Sequence, residues 1–389
     1  MDSNKNEINR QVDGLADELF TISRQLYDHP ETAYQEHQTC QWLGEFLRAR
    51  DFDVDVGVGG VETAFMARPK GRPPRRPTVA FLAEYDALPK IGHGCGHNLI
   101  AASSIGAAIA LSSAVEELAD AVVVIGTPAE EGGGGKVRLA EGGVFEGIDI
   151  GLLSHPGHVN LCGEDSLGRI KVKIEFLGQS AHAASSPEYG RNALDAMVGA
   201  YVHIAALRQQ MAQDSRIHGI ITHGGDAPNI IPDYTAGLYY VRSARLDYLE
   251  ELFSRFENCC RGAALAAGCD CRVEIQPPSL EPMKRNLALE RLWADNMAEQ
   301  GLALGHRAGP NGSSDVGNLS RIIPVMQSRL AICDQEVPIH SVGFADATQS
   351  ERGRKALLDA ARLLAMTAYD YLVSPGIQKS VAEEFDSGV

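Results

Sequence analysis

The sequence predicts an α/β protein: a mostly parallel sheet bearing the chemistry, with an inserted α+β unit of ferredoxin-like order. Three observations predict it. Short, mainly apolar runs at 79–83, 121–126 and 148–154 alternate with helix-type segments, the pattern of strands buried on both faces. The run 168–176 instead alternates polar and apolar residues, the mark of a half-exposed antiparallel strand. A chain of 389 residues also exceeds one ordinary core, so two domains are expected.

Taken in order, residues 12–47 read as amphipathic helix, interrupted near Asp28-His29-Pro30-Glu31. The Pro- and Arg-rich stretch 71–77 reads as a solvated loop. The strand 79–83 delivers Glu84-Tyr85-Asp86 at its end. Residues 98–118 are rich in Ala, Ser, Ile and Leu, which predicts a buried helix that Asn98 could cap. The strand 121–126 is followed by Thr127-Pro128-Ala129-Glu130-Glu131, and the strand 148–154 by His155-Pro156.

The strand at 168–176 is then followed by a helix (192–211), strands at 219–223 and 234–242, a helix (246–267) and a strand (271–275). That β-α-β-β-α-β order is ferredoxin-like. The expected boundaries are 166–276 for the inserted domain and 1–165 with 277–389 for the larger one. After Pro277-Pro278 the α/β style returns through 286–302 and closes with a helix at 354–371 and a polar tail.

Composition narrows the function. Hydrophobic content of 44% and charged content of 22% fit a soluble globular chain. The net charge of −16 argues against nucleic acid or an anionic membrane as a main partner and, near an active site, would favour binding cations. Eight irregularly spaced cysteines do not read as a disulfide framework. The first ten residues are polar, without a signal-peptide core, and no run of about 18 apolar residues exists. A reducing cytoplasm fits all of this.

Ile91-Gly92-His93-Gly94-Cys95-Gly96-His97-Asn98 is the densest chemical signal. Imidazole and thiolate suit borderline-soft divalent metals, and the glycines permit a sharp turn that brings side chains together. Three strand ends carry such groups: His93/Cys95/His97, Glu130/Glu131 and His155. His340 is a fourth candidate. Together they could serve two metals, which can activate a water and polarise a carbonyl. Of the adjacent glutamates, one can bind metal while the other acts as general base. Blander readings exist: a structural His155, a solvated glutamate pair at a glycine-rich loop tip, or a structural zinc site. A structural site closes all four positions with tight ligands, whereas carboxylates and a distant His indicate an open one.

At these residues the chain resembles the co-catalytic metallopeptidase and amidohydrolase superfamily of aminoacylases, glutamate carboxypeptidases and auxin-conjugate hydrolases. Its Cys-Gly-His-Asn is similar to the p-aminobenzoyl-glutamate hydrolase branch. The resemblance also takes in His29-Pro30-Glu31, Asp86-Ala87-Leu88-Pro89, Pro128-Ala129-Glu130-Glu131, Ser180-Ala181-His182-Ala183, Asn229-Ile230-Ile231-Pro232, Gly312-Ser313-Ser314-Asp315 and His340.

It implies Cys95, His97, Glu131, His155 and His340 as metal ligands for one or two divalent ions. Zinc or manganese leads, with cobalt and nickel open. It implies Glu130 as general acid/base and Asp86 as the acid that orients a ligand. The inserted domain becomes a lid that forms a homodimer. There His182 serves the partner subunit's site as an oxyanion donor, while Asn229 and Arg242 contact substrate. His93 falls to packing behind the ligands, and Glu84 is left unassigned. The implied activity is hydrolysis of a C–N amide bond in a small N-acyl amino acid, dipeptide or aryl-amide conjugate. Hydrolytic deamination of an electron-poor aromatic amine on the same site is an alternative. A non-catalytic metal-dependent binding protein is another, against which the intact Glu130 argues.

Overall fold

A computed structural model describes residues 2–306 and 312–387. The elements run α1 (Ser3–Asp28), α2 (His37–Arg48), β1 (Phe52–Val56), β2 (Phe65–Pro69), β3 (Val79–Ala83), α3 (His97–Ala114), β4 (Val122–Gly126), α4 (Gly135–Glu141) and β5 (Ile150–Gly157). Next come β6 (Gly168–Leu177), α5 (Ala193–Leu207), β7 (Arg216–His223), β8 (Tyr234–Ser243), α6 (Leu246–Ala267) and β9 (Asp270–Ile275). The chain closes with α7 (Leu287–Glu299), α8 (Val316–Leu319), β10 (Val325–Ala331), α9 (Val342–Ala347), α10 (Glu351–Val373) and α11 (Pro375–Asp386). Residues up to Glu164, from Lys284 to His306 and from Asn318 onward form one compact unit. Residues Asp165–Met283 with 312–317 form the other.

The first unit holds a six-stranded sheet in the order β1-β2-β4-β3-β5-β10. Strands β4, β3, β5 and β10 are parallel, and β2 and β1 add an antiparallel edge. Every residue of β3 and β4 is buried, which is why they are continuous apolar runs rather than alternating ones. Helix α3 is apolar all round because it is a core helix, packed by α1, α10 and the sheet. Leu19 of α1 meets α3 at Gly106, where an added Cβ would lie 2.6 Å from Leu19 Cδ1.

The second unit is a four-stranded antiparallel sheet, order β7-β8-β6-β9, the ferredoxin-like arrangement. Its alternating strands turn Ile170, Val172, Ile174, Phe176, Tyr239 and Val241 into one core with α5 and α6. Asn192 caps α5 by accepting from the Leu194 amide.

Several local expectations change. Strands β1 and β2 escape the sequence reading because each is only five residues long, too short for the alternation in β1 to stand out. Strand β10 escapes because its buried run is broken by Gln327, Ser328 and Arg329. The polar tail contains helix α11, which buries only Val381 completely. His155 lies inside β5 and not beyond it. Asn98 is not the cap of α3. Gly96, with φ +80°, is the N-cap, and an added Cβ there would sit 2.4 Å from Pro156 Cγ, so only glycine fits the turn. Asn98 is buried one residue into the helix, and its Nδ2 donates to Ser23 Oγ (3.0 Å) and Thr348 Oγ1 (3.1 Å).

The Leu19–Gly106 contact gives a stability test. Leu19→Ala should cost about 2–5 kcal/mol by cavity formation. Gly106→Ala alone should also destabilise, since overpacking costs about 1–3 kcal/mol against about 1 kcal/mol gained in helix propensity. In the Leu19→Ala background the added methyl enters the cavity, and the same Gly106→Ala change should stabilise. Urea unfolding followed by circular dichroism reads all four proteins.

Candidate metal centre

The buried strands β3, β4 and β5 deliver the site. Glu84, Tyr85 and Asp86 follow β3; Ala129, Glu130 and Glu131 follow β4; His155 is carried by β5. The glycine-rich loop before α3 carries Cys95 and leads into His97, the first residue of that helix. The His340 amide donates to the Gly94 carbonyl (2.9 Å), tying the C-terminal loop onto this one.

Donor atoms of Cys95, His97 and His155 lie within 4.8 Å of one another, and so do those of Cys95, Glu131 and His340. Cys95 belongs to both triads. A third set, His97, Glu130 and Glu131, adds the other glutamate. The closest approaches are Cys95 Sγ to His155 Nε2 (3.3 Å) and Glu131 Oε1 to His340 Nε2 (3.3 Å). Cys95, His97 and His155 are buried, whereas His340 is exposed. The site therefore has a closed pole and an open one.

Hydrogen bonds fix which atoms face inward. Asp86 Oδ1 meets His97 Nδ1 at 3.0 Å and leaves His97 Nε2 to face the other donors. The second oxygen of Asp86 accepts from the Glu131 amide (2.9 Å). His155 Nδ1 lies 2.7 Å from the Pro156 carbonyl, an acceptor only, so Nδ1 carries the proton and Nε2 turns toward Cys95. Arg329 donates to the same carbonyl (3.0 Å) and is held by Glu164 (2.6 Å).

The electrostatics follow from burial and these partners. Burial and the Arg329 charge hold His155 neutral, well below the usual imidazole range. Burial opposes charge on His97, but Asp86 and Cys95 outweigh it and raise its pKa well above normal. Burial pushes the Cys95 thiol up, with the Glu131 charge adding to it. A buried thiol, a buried His97 Nε2 without a hydrogen-bond partner and a Glu131 Oε1 that meets the exposed His340 are groups that fit a soft-to-borderline divalent cation, which favours the thiolate outright. His93 joins no triad. Burial and the His97 charge depress its pKa to about 3, so it packs as a neutral ring.

Three residues escape the sequence pattern. Lys136, at the start of α4, is fully buried with Nζ 2.6 Å from Glu84 Oε1, and Glu84 Oε2 lies 3.6 Å from His97 Nε2. A lysine after four glycines reads as a loop-tip residue, and no local pattern signals its burial. Glu36 is fully buried at the N-cap position of α2. Its carboxyl accepts from the Ala129 amide (3.0 Å) and from the Thr63 hydroxyl (3.0 Å). Burial, reinforced by the Asp86 charge, raises its pKa to about 7. Ala129 has φ +61°, a costly conformation for a residue with a Cβ, and it aims the Glu130-Glu131 pair. Glu36 holds that turn.

In the second unit, Ala183 N donates to the Asn229 carbonyl (3.0 Å) and Ile231 N to the Ala181 carbonyl (3.0 Å), so His182 and Asn229 sit on paired segments. His182 lies near the surface. Its Nδ1 accepts from the Ala184 (3.2 Å) and Ser185 (3.1 Å) amides, leaving Nε2 as the donor. Arg242 is half-buried on β8 beside Tyr240.

Residues 166–267 match the family model described as a peptidase dimerisation domain. The chain is 37% identical to a mouse Xaa-Arg dipeptidase over 390 residues, covering 96% of this chain and 90% of the relative. It is 28% identical to one of the two subunits of the Escherichia coli p-aminobenzoyl-glutamate hydrolase, covering 93% of this chain and 91% of that one. A Bacillus subtilis structure described as a dinuclear metal-binding peptidase superposes with a TM-score of 0.73 at 22% identity, covering 92% of this chain and 99% of that one.

Glu36 yields a test of how the glutamate turn is held. Glu36→Ala should weaken divalent metal binding about 10–100-fold, the range for residues that orient a metal's ligands. Glu36→Gln keeps a carbonyl oxygen for the Ala129 amide and should stay within a few-fold of the parent. Chelator competition reads both, and equal loss in the two variants would contradict the assignment.

Proposed function

Because the chain belongs to the M20 family of peptidases and amidohydrolases, we propose that it cleaves the amide bond of a small N-acyl amino acid, dipeptide or aryl-amide conjugate. The chain is a hydrolase of C–N bonds, and the family's substrates support a metal-dependent amide hydrolase. The observation that carries the finer reading is the pair of donor triads sharing Cys95, with Glu130 beside them. In this reading Cys95, His97 and His155 hold one divalent ion, zinc or manganese, and Cys95, Glu131 and His340 hold a second. Ions held there supply an acidified water and a polarised carbonyl.

The protein's own groups do the rest. Glu130, 4.0 Å from His97 Nε2, takes the proton of the attacking water and returns it to the leaving amine. Asp86 keeps His97 in one tautomer and orientation. In the lid, His182 donates through Nε2 to the developing oxyanion of the partner subunit's substrate, and Asn229 and Arg242 bind the substrate's polar end. A homodimer is supported by the dimerisation-domain match. Exposed Val198, Tyr201 and Val202 on α5 and Ile220 and Ile221 on the edge strand β7 give it an apolar contact surface. Eight free thiols support a reducing, cytoplasmic setting.

Glu130→Gln should retain the bound metal and the melting temperature of the parent while kcat drops about 10²–10⁴-fold. Full turnover in that variant would remove Glu130 from the chemistry. Dialysis against a strong chelator should abolish release of the free amino acid, and zinc or manganese should restore it. Chromatography of the products decides the bond: ammonia as the only amine released would point to deamination instead.

A further inference from the structure

On the sheet of the second unit, α5 and α6 cover one face, so alternate strand residues emerge on the other. Three arginines stand in one row across it. Arg169 of β6 pairs directly with Arg242 of β8, which pairs with Arg216 of β7. The next row on that face is Lys171, Tyr240 and His218. Like charges directly opposite one another destabilise a sheet unless something neutralises them. Both the Arg169 and Arg242 guanidinium carbons lie over the Tyr240 ring, at 5.2 and 5.3 Å.

Among the described residues neither guanidinium pairs with a carboxylate. Arg169 Nε is buried and lacks a hydrogen-bond partner. Burial and the neighbouring Arg169 charge lower the pKa of Arg242. Arg216 differs: it is exposed and its Nη1 donates to the Gln213 and Ser215 carbonyls, both at 2.6 Å. Of the acids on this face, Glu175 lies farther along β6 and is taken by Lys173 (2.7 Å) and the Tyr234 hydroxyl (2.6 Å), and Glu274 of β9 stands opposite that same lysine rather than the arginines. In a chain of net charge −16 this is a cationic cluster held without its counterions.

We propose that Arg169 and Arg242 form a two-armed anion site that takes a dicarboxylate, the acidic end of an N-acyl aspartate or glutamate. Two planar forks on adjacent strands, steadied by one aromatic ring, suit two carboxylates, each able to accept a bidentate pair. The identity of the ligand as a substrate's end rests on the amide-hydrolase reading. The anion site itself rests on the arginine row alone.

Calorimetry on the full chain, as isolated and after chelation, separates the two. Glutarate should bind at least about tenfold more tightly than butyrate or inorganic phosphate, and Arg169→Gln should remove most of that advantage while Arg169→Lys keeps part of it. In turnover, Arg169→Gln should raise KM for N-acetyl-glutamate about tenfold more than KM for N-acetyl-glutamine, with kcat little changed. Glutarate binding no better than butyrate, or unaltered by Arg169→Gln, overturns the site. Tighter binding of phosphate overturns the dicarboxylate assignment. A protein that binds glutarate through Arg169 but cleaves neither amide keeps the anion site and sinks the hydrolase reading.

Discussion

Asp86 is the joint on which the centre depends. It is buried at the end of β3 and sets one oxygen against His97 Nδ1 and the other against the Glu131 amide. A residue of the loop-to-helix turn and a residue of the turn after β4 are thereby fixed by one carboxylate. Burial alone would push its pKa up, but the His97 charge and hydrogen bond and the Glu131 and Glu130 amides hold it below the usual carboxylate range. Removing that charge would loosen both triads at once, since His97 belongs to one and Glu131 to the other.

Around this joint, backbone strain and its restraints occur together. Ala129 and His340 both adopt positive φ without being glycine, and both sit where a donor must be aimed. Glu36 secures the first, and the His340–Gly94 backbone hydrogen bond secures the second. At the closed pole, Lys136 and Glu84 bring a buried ion pair against His97. Such a pair adds little net stability on its own, because desolvation opposes the attraction. Its position beside a donor set makes it a feature of the centre's field rather than of the fold's stability.

Much of the fold is legible in the sequence because it follows from periodicity. The apolar runs at 79–83 and 121–126 fit strands buried on both faces, and the alternation at 168–176 fits a sheet with one open face. The candidate donors Glu130 and Glu131, and Asp86 behind them, stand out in the sequence because they follow such strands. What escapes obeys no local pattern. Lys136 and Glu36 are ordinary surface residue types whose burial is decided by chain segments tens of residues away. Asn98 has the residue type and place of a helix cap, but Gly96 takes that role, and Asn98 becomes a long-range tie to Ser23 and Thr348. The arginine row requires strand register, which sets Arg169 opposite Arg242 and is invisible until the strands are paired.

The central claim is that two donor sets meeting at one thiolate hold the catalytic cations. Metal analysis of the Cys95→Ala protein beside the parent, each dialysed against zinc and then against buffer, tests it most directly. The account predicts two ions per chain in the parent and none retained at stoichiometric level in Cys95→Ala, with the fold intact by circular dichroism. Unchanged metal content in the variant would contradict it.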